Sequence, residues 1–444
     1  MEVDRDLAGA VEAALALARE GGADQAQAAA QGSVGLSATV RLGEPETLKH
    51  HRSRGLSLTV YRAGAKGYRS GTASTTDLSR EALTATVEAA LGLATRTDDD
   101  PCAGLPDADL LAIEQPDLQL AFPLDLDPQR ALGEASACEA AALAVDPRLT
   151  NSEGASVSCH GARLVLGNTH GFLQGYATTR KGVSCTVVAS ANGTKERDGW
   201  YAASRDPADL TTPEAVGRIA GERTARRLGA RRIATTRAPV CFDPDAAATL
   251  LGHFAGAASG TPLYRRTSFL AGTLDTPVFA PLVTIHDEAH RPRGLGSCPF
   301  DAEGVASRDR AVVEAGMLRG YFLDTYAARK LSTTTTGNCG GPHNLYIAPG
   351  TASLEELLRD MGRGLLVTDL MGQGVNLLTG DYSRGVAGFW IEGGAIAHPV
   401  HEVTVAANLK EMFRRIVAVG RDLEFRGATA SPSLLIEEMT IAGA

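Results

Sequence analysis

The sequence predicts an α+β protein: N-terminal α/β domains with mixed sheets, then a strand-rich C-terminal domain carrying one buried helix. Three observations carry this. Period-two runs of Val, Leu, Thr and Tyr recur along the chain, helical periodicity is confined to a few segments, and 49 glycines and 20 prolines are scattered without period as turns between strands. At 444 residues the chain is too long for one simple core. Composition and punctuation divide it into an α/β subdomain over 1–100, a Pro-rich acidic linker over 101–126, an α+β subdomain over 127–230 and a β-rich domain over 231–444.

Residues 4–20 read as an amphipathic helix. Leu7, Val11, Ala14, Leu15 and Ala18 recur at helical spacing, and Gly21-Gly22 ends the pattern. Alternating stretches follow at Leu36–Arg41, Gly55–Tyr61 and Gly67–Thr72. A second helix runs from Ser79 to Ala94, with Asp77 or Ser79 as its cap and Leu83, Val87, Ala90 and Leu91 as its buried stripe. The acidic stretch 98–123 holds Pro101, Pro106, Pro116 and Pro123. A third helix spans Pro128–Ala144. Residues 155–203 are strand-rich, with turns at Asn168, Gly171 and Asn192-Gly193, and another helix fits Pro213–Leu228.

The second half holds one well-signposted helix. Asp243 is an N-cap, and Pro244 takes the first helical position, where its missing N–H costs nothing. Ala247, Leu250, Leu251, Phe254 and Ala258 share an apolar face, and Gly260 is read as the terminator. Beyond it, short strands alternate with Gly-rich turns, and the last clear helix lies over Leu409–Val419.

Composition narrows the function. With 43 Lys and Arg against 52 Asp and Glu, the net charge is −9. A phosphate-neutralising protein carries a basic excess or patch, so nucleic acid is not an expected partner. The densest basic cluster, Arg223, Arg226, Arg227, Arg231 and Arg232, reads as a solvated helix face. Seven cysteines stand singly, with no C-x-x-C pair, so neither a disulfide framework nor a zinc knuckle is indicated. No apolar run reaches about 18 residues and the first residues are charged, so no membrane span or secretion signal is expected. A cytoplasmic protein is the expectation.

Phosphate-binding and nucleophile-elbow signatures are absent. The pattern His286-Asp-Glu-Ala-His290 puts two histidines at i and i+4, as zinc hydrolases do on a helix. Here Pro281–Ile285 reads as a strand and Pro292 and Gly294 as a loop. Along a strand, i and i+4 lie about 13 Å apart, too far for one ion with bonds near 2 Å. His253, His398 and His401 read as structural or exposed. Two polar, glycine-dense stretches are more suggestive: Thr333–Asn344 (TTTTGNCGGPHN) and Gly380–Ile391 (GDYSRGVAGFWI). Bare backbone and small hydroxyls allow close approach of another chain. Composition alone slightly favours reading them as turns between core strands.

In this order, several stretches resemble the TldD/PmbA family. They are Gly71–Thr75 (GTAST), Tyr264–Phe269 (YRRTSF), Phe300–Gly304 (FDAEG), Gly316–Tyr321 (GMLRGY), Thr336–Asn338 (TGN), Asn344–Gly350 (NLYIAPG), the Gly380–Ile391 stretch and Pro399–Glu402 (PVHE). The resemblance covers nearly the whole chain. It implies a pair of related subunits forming a zinc protease that acts on unfolded or leader peptides. The TldD-type subunit carries H-E-x-x-x-H on a helix and a distant cysteine. In this chain the three motif positions fall on Leu251, Gly252 and Gly256, and the distant region reads Gly427–Pro432 (GATASP). Both departures resemble the PmbA/TldE branch.

The resemblance therefore implies no catalytic residue, no metal ligand and no cofactor in this chain, with zinc in a TldD-like partner. This chain would shape the peptide channel, with an extended peptide added to a sheet edge and a homodimer possible when the partner is absent. The substrate-contact candidates are Asn338, Gly340, Asn344, Asp381, Tyr382 and Ser383. Two other readings remain open: a regulatory protein-binding module of the gyrase-modulator type, and an independent hydrolase using His286 and His290.

Overall fold

The computed structural model describes residues 4–443. Helix α1 (Arg5–Glu20) begins where the Asp4 carboxylate accepts a hydrogen bond from the Leu7 amide at 3.2 Å, and its apolar stripe is buried. Strands β1 (Gln25–Arg41), β2 (Glu44–Ala63) and β3 (Tyr68–Thr75) follow, then α2 (Arg80–Ala94), capped by Ser79. The stretches read from sequence are segments of longer strands. In β2, residues 44–54 show no apolar period because almost all are exposed, and their edge is free where β3 pairs only with 56–63.

Residues 101–126 contain one 3₁₀ turn at Ala108–Leu110 and send Leu105, Leu111, Ala112, Leu118 and Leu120 into the interior. Then come α3 (Pro128–Leu143), β4 (Leu149–Asn168), β5 (Leu173–Ala191), β6 (Thr194–Ser204) and α4 (Pro213–Arg226). All six strands make one antiparallel sheet in the order β3-β2-β1-β4-β5-β6. β1 joins its two halves, in register from Gln27↔Asn168 to Val40↔Ala155. Alternate residues share a face. Ala26, Ala28 and Ala30 of β1 lie under α1 and α2, and Leu36, Ala38 and Val40 lie under α3 and α4. Between these helical pairs a cleft of ≈ 800 Å³ is bordered by Gly32, Arg52, Arg54, Gly161 and Arg163.

The C-terminal half runs β7 (Thr236–Phe242), α5 (Pro244–Ala257), α6 (Gly260–Tyr264), β8 (Ile285–Glu288), β9 (Arg310–Glu314), β10 (Met317–Leu318) and α7 (Thr325–Lys330). It continues with β11 (Asn344–Ile347), α8 (Leu354–Met361), β12 (Gly364–Met371), β13 (Asp381–Glu392), β14 (Ala395–Asn408) and α9 (Leu409–Arg414). β15 (Ile416–Val419), β16 (Thr429–Ala430) and β17 (Leu434–Ala442) complete it. One sheet has the order β14-β13-β12-β7-β17-β15, and a further β14–β17 pairing closes five of its strands on themselves. The other has the order β10-β9-β8-β11-β16. α5 packs against β7 and β12 of the first and β11 and β16 of the second.

The expected α+β class holds, with a strand-rich C-terminal half and a buried helix. The mixed sheets, however, lie in that half and not in the N-terminal one: the parallel pairs are β12–β7 and β11–β16. Three local expectations change. Gly260 does not end α5; it opens α6, where a Cβ would come within 2.3 Å of Ala327 Cβ, so close packing selects the glycine. The helix read over Leu409–Val419 stops at Arg414, because β-branched Ile416 and its neighbours pair with β17. Helices α7 and α8 were not read, although α8 carries a Ser353/Glu356 capping box.

Candidate functional site

The Asp243 carboxylate starts α5 by accepting a hydrogen bond from the Ala246 amide at 2.9 Å. That carboxyl is buried, and burial pushes its pKa up to about 7 even with the Arg223 guanidinium 3.7 Å away. Ala247, Leu250, Leu251 and Phe254 face the core, where the Phe254 ring meets Phe279, Phe322 and Phe413 edge-on. The opposite flank is open. A Cβ at Gly252 would meet nothing within 4 Å, and one at Gly256 would meet only Leu377 Cδ1 at 3.3 Å.

The three positions to which the resemblance assigns the metal motif therefore divide: Leu251 is 1% exposed and belongs to the core, while Gly252 and Gly256 leave bare backbone on the open side. None has a side-chain donor atom, so these residues do not fit a zinc ion, which needs N, S or O ligands. Among the described residues no group of three or more His, Cys, Asp or Glu side chains is arranged to hold a metal.

The Gly427–Pro432 region lies beside the N-terminal end of α5, since β16 packs on that helix. Arg426 donates to Asp245 at 2.6 Å and stacks over Trp200 with 3.7 Å to the ring centroid. With Arg223, Thr368 and Glu424 they line a cavity of ≈ 270 Å³ between the C-terminal half and β6.

The six contact candidates fall on two sides of α5. Asn338 and Asn344 belong to a buried polar hub beside β8 and β11. Asn338 Nδ2 donates to Asp287 Oδ2 at 2.9 Å and to the Gly341 carbonyl at 3.2 Å, while its Oδ1 accepts from Arg310 at 2.8 Å and Thr336 at 2.9 Å. Asn344 is fully buried and ties the 294–297 turn to β8 through Ser297, the Gly296 amide and the Glu288 carbonyl. Both amides are fully used inside the protein. Gly340, between them, is exposed, with φ of 109°.

Asp381, Tyr382 and Ser383 open β13. The Asp381 carboxylate is exposed and held below the usual carboxylate range by bonds from the Thr379 hydroxyl and Asn408. Ser383 is exposed. Tyr382 is 1% exposed and lies against His253 of α5.

The hub's centre was missed in the sequence. Asp287 is completely buried between Ile285 and Ala289 on the inward face of β8. It accepts from the His343 amide at 2.7 Å and faces His343 Nδ1 at 3.2 Å. Burial alone would depress the His343 pKa, but hydrogen bonds to Asp287 and Cys298 outweigh it and raise it to about 10. The signal was present, since an acid in phase with two inward apolar residues must have a partner. His286 stacks on Tyr346 at 5.2 Å and His290 Nε2 lies 3.2 Å from Ser307 Oγ, so the two histidines serve different neighbours on a strand and the turn after it.

Comparison with known proteins agrees with this architecture. Residues 26–94, 122–228 and 235–443 match, in order, domain 1, the central domain and the C-terminal domain of the PmbA/TldA metallopeptidases. The chain is 45% identical over 434 residues to the metalloprotease PmbA of Escherichia coli O157:H7, covering 98% of this chain and 95% of that one. It is 42% identical to a PmbA homolog from Haemophilus influenzae, covering 99% and 97%. Among solved structures, a Bacteroides thetaiotaomicron protein described as a proposed modulator of DNA gyrase superposes with a TM-score of 0.91 at 27% identity, covering 98% of each chain. TldE from Thermococcus kodakarensis shares the fold, with a TM-score of 0.85 at 22% identity over 98% of this chain and 100% of that one.

Proposed function

The chain belongs to the PmbA/TldD metallopeptidase family, and from that premise we propose that it is the non-metal subunit of a two-subunit zinc peptidase, acting on unfolded or leader peptides beside a TldD-like partner. The observation that carries this reading is the occupancy of α5. Where the catalytic subunit would place two histidines and a glutamate, this chain has Leu251 spent on the core and two glycines. Peptide hydrolysis at a metal needs three protein ligands, an open coordination position and a base for the water. In this reading the partner supplies all of these, zinc included.

What remains for this chain is placement, which can account for a large share of a barrier. An extended peptide pairs with backbone at a sheet edge. The backbone at the start of β13 is already paired with β14 and with residues 374–376, so the exposed Asp381 and Ser383 side chains and the bare Gly340 would meet the peptide by side-chain and close backbone contact. Asn338 and Asn344, whose polar groups are already used internally, hold the scaffold behind it. All seven cysteines are free thiols, which suits a cytoplasmic protein.

The test is metal content. The chain is purified without chelator, alone and as the complex with its TldD-like partner, and zinc is quantified in each. Zinc is expected in the complex and not in the chain alone. One tightly held zinc per chain in the isolated protein would overturn the proposal.

A further inference from the structure

His253 lies on α5 one residue after Gly252 and three before Gly256, between the two bare positions of the open flank. Its Nε2 is buried and has no hydrogen-bond partner among the described residues, and the same holds for Tyr382 Oη. The two rings meet edge-to-face with centroids 6.0 Å apart. Buried polar groups are nearly always paired, and one left unpaired weakens the fold. Two orphaned groups on touching rings are a specific departure from that rule. Phenylalanine would fill the Tyr382 site with the same ring and no orphaned hydroxyl.

The surroundings say what would satisfy them. Burial and the nearby Arg384 guanidinium lower the His253 pKa, and burial raises that of Tyr382, so a neutral imidazole faces a neutral phenol. Each can donate or accept one hydrogen bond toward a ligand. A peptide group offers one N–H and one C=O, the same complement. The helix beside them carries no side chain at Gly252, so an extended backbone can approach α5 closely.

The segment between β12 and β13 forms the roof. Leu377 covers Gly256, its carbonyl accepts from the Phe269 amide at 2.9 Å, and Val375 bridges to Tyr382. The segment is bounded by Gly372 and Gly380, at φ of 77° and 88°; Leu378 within it and Met371 at the end of β12 are 52% and 46% exposed. Exposed apolar side chains beside the open flank at Gly252 are what an unfolded chain of mixed sequence would meet first.

We propose that His253 and Tyr382 together receive one main-chain peptide group of an extended substrate running along the glycine flank of α5 under the 372–380 segment. This rests on the peptide-placing role proposed above and adds the residues that perform it.

The test uses the full chain reconstituted with its TldD-like partner and a fluorescein-labelled, unstructured 20-residue peptide. Tyr382→Phe and His253→Leu are each expected to raise KM at least tenfold with kcat changed less than threefold. Tyr382→Phe should leave the melting temperature unchanged or higher, because it removes an unpaired hydroxyl. Gly252→Leu is expected to raise KM similarly by filling the flank, in a place where nothing crowds the fold. A KM within twofold of wild type in both Tyr382→Phe and His253→Leu overturns the inference. If the wild-type mixture cleaves nothing, the peptidase role fails separately. The same peptide titrated by anisotropy into wild-type and Tyr382→Phe complexes then decides the inference: a tenfold weaker variant supports it, and equal affinity overturns it.

Discussion

Replacing Leu251 by alanine removes three carbons from a site that is 1% exposed, between the aromatic cluster around Phe254 and the strands on either side of α5. At about 0.8 kcal/mol per buried carbon, transfer alone accounts for about 2.4 kcal/mol. The unfilled cavity brings the loss to about 3–4 kcal/mol. In a unit the size of the C-terminal domain, residues 235–443, each kcal/mol shifts the midpoint by about 2–4 °C. Thermal unfolding followed by circular dichroism should therefore show Leu251→Ala melting about 6–16 °C below wild type, and Leu251→Asp lower still, because an unpaired charge is buried. Gly252→Ala, one residue along, is the control. Its new methyl meets nothing, and relief of glycine's backbone entropy should stabilise by about 0.5–1 kcal/mol. Equal melting of Leu251→Ala and wild type would refute the assignment of this position to the core.

The remaining predictions concern the site's surroundings. The His286→Ala/His290→Ala variant should retain the peptide cleavage of the reconstituted complex; loss of cleavage with the fold intact would revive an independent hydrolase. Glu303 accepts from the Thr325 amide and hydroxyl, and burial moves its pKa from 4.5 to about 7. The folded chain thus holds a proton that the unfolded chain releases, so stability is fully present below about pH 4.5 and declines as pH rises to about 7, by up to about 3 kcal/mol. Glu303→Gln should flatten that decline in urea midpoints taken across the window, and an unchanged slope would count against it. Asn338→Asp should destabilise by about 2–3 kcal/mol, since it sets a second carboxyl 2.9 Å from Asp287. Ser383→Trp should melt like wild type, assemble normally by size-exclusion chromatography and cleave more slowly; undiminished cleavage would remove β13 from the peptide path.

The parts of this structure legible in the sequence were those with local causes. Asp243-Pro244 and the Ala247, Leu250, Leu251, Phe254 spacing gave α5 its start and its buried face. Stretches whose shape depends on partners were not legible. Residues 44–54 are a strand only because β1 lies beside them, and nothing in their exposed, polar run shows a period. Asp287 was read as part of a histidine pattern, whereas its main partner, His343, lies 56 residues away. Asn338 and Asn344 were singled out for small, polar surroundings, which describe a saturated hub as well as a contact surface. His253 shows no partner at helical spacing because Tyr382 comes to it from β13, well over a hundred residues along the chain.

The proposed division of labour puts the metal and the base in the partner and the placement of the peptide in this chain. Mixing tests it most directly. Peptide cleavage is measured for this chain alone, for a TldD-like subunit alone and for the two co-purified. Cleavage is expected from the pair and not from this chain alone, and the pair's activity should be lost when the partner's motif glutamate is changed to glutamine. Cleavage by this chain alone at the rate of the pair would contradict this division.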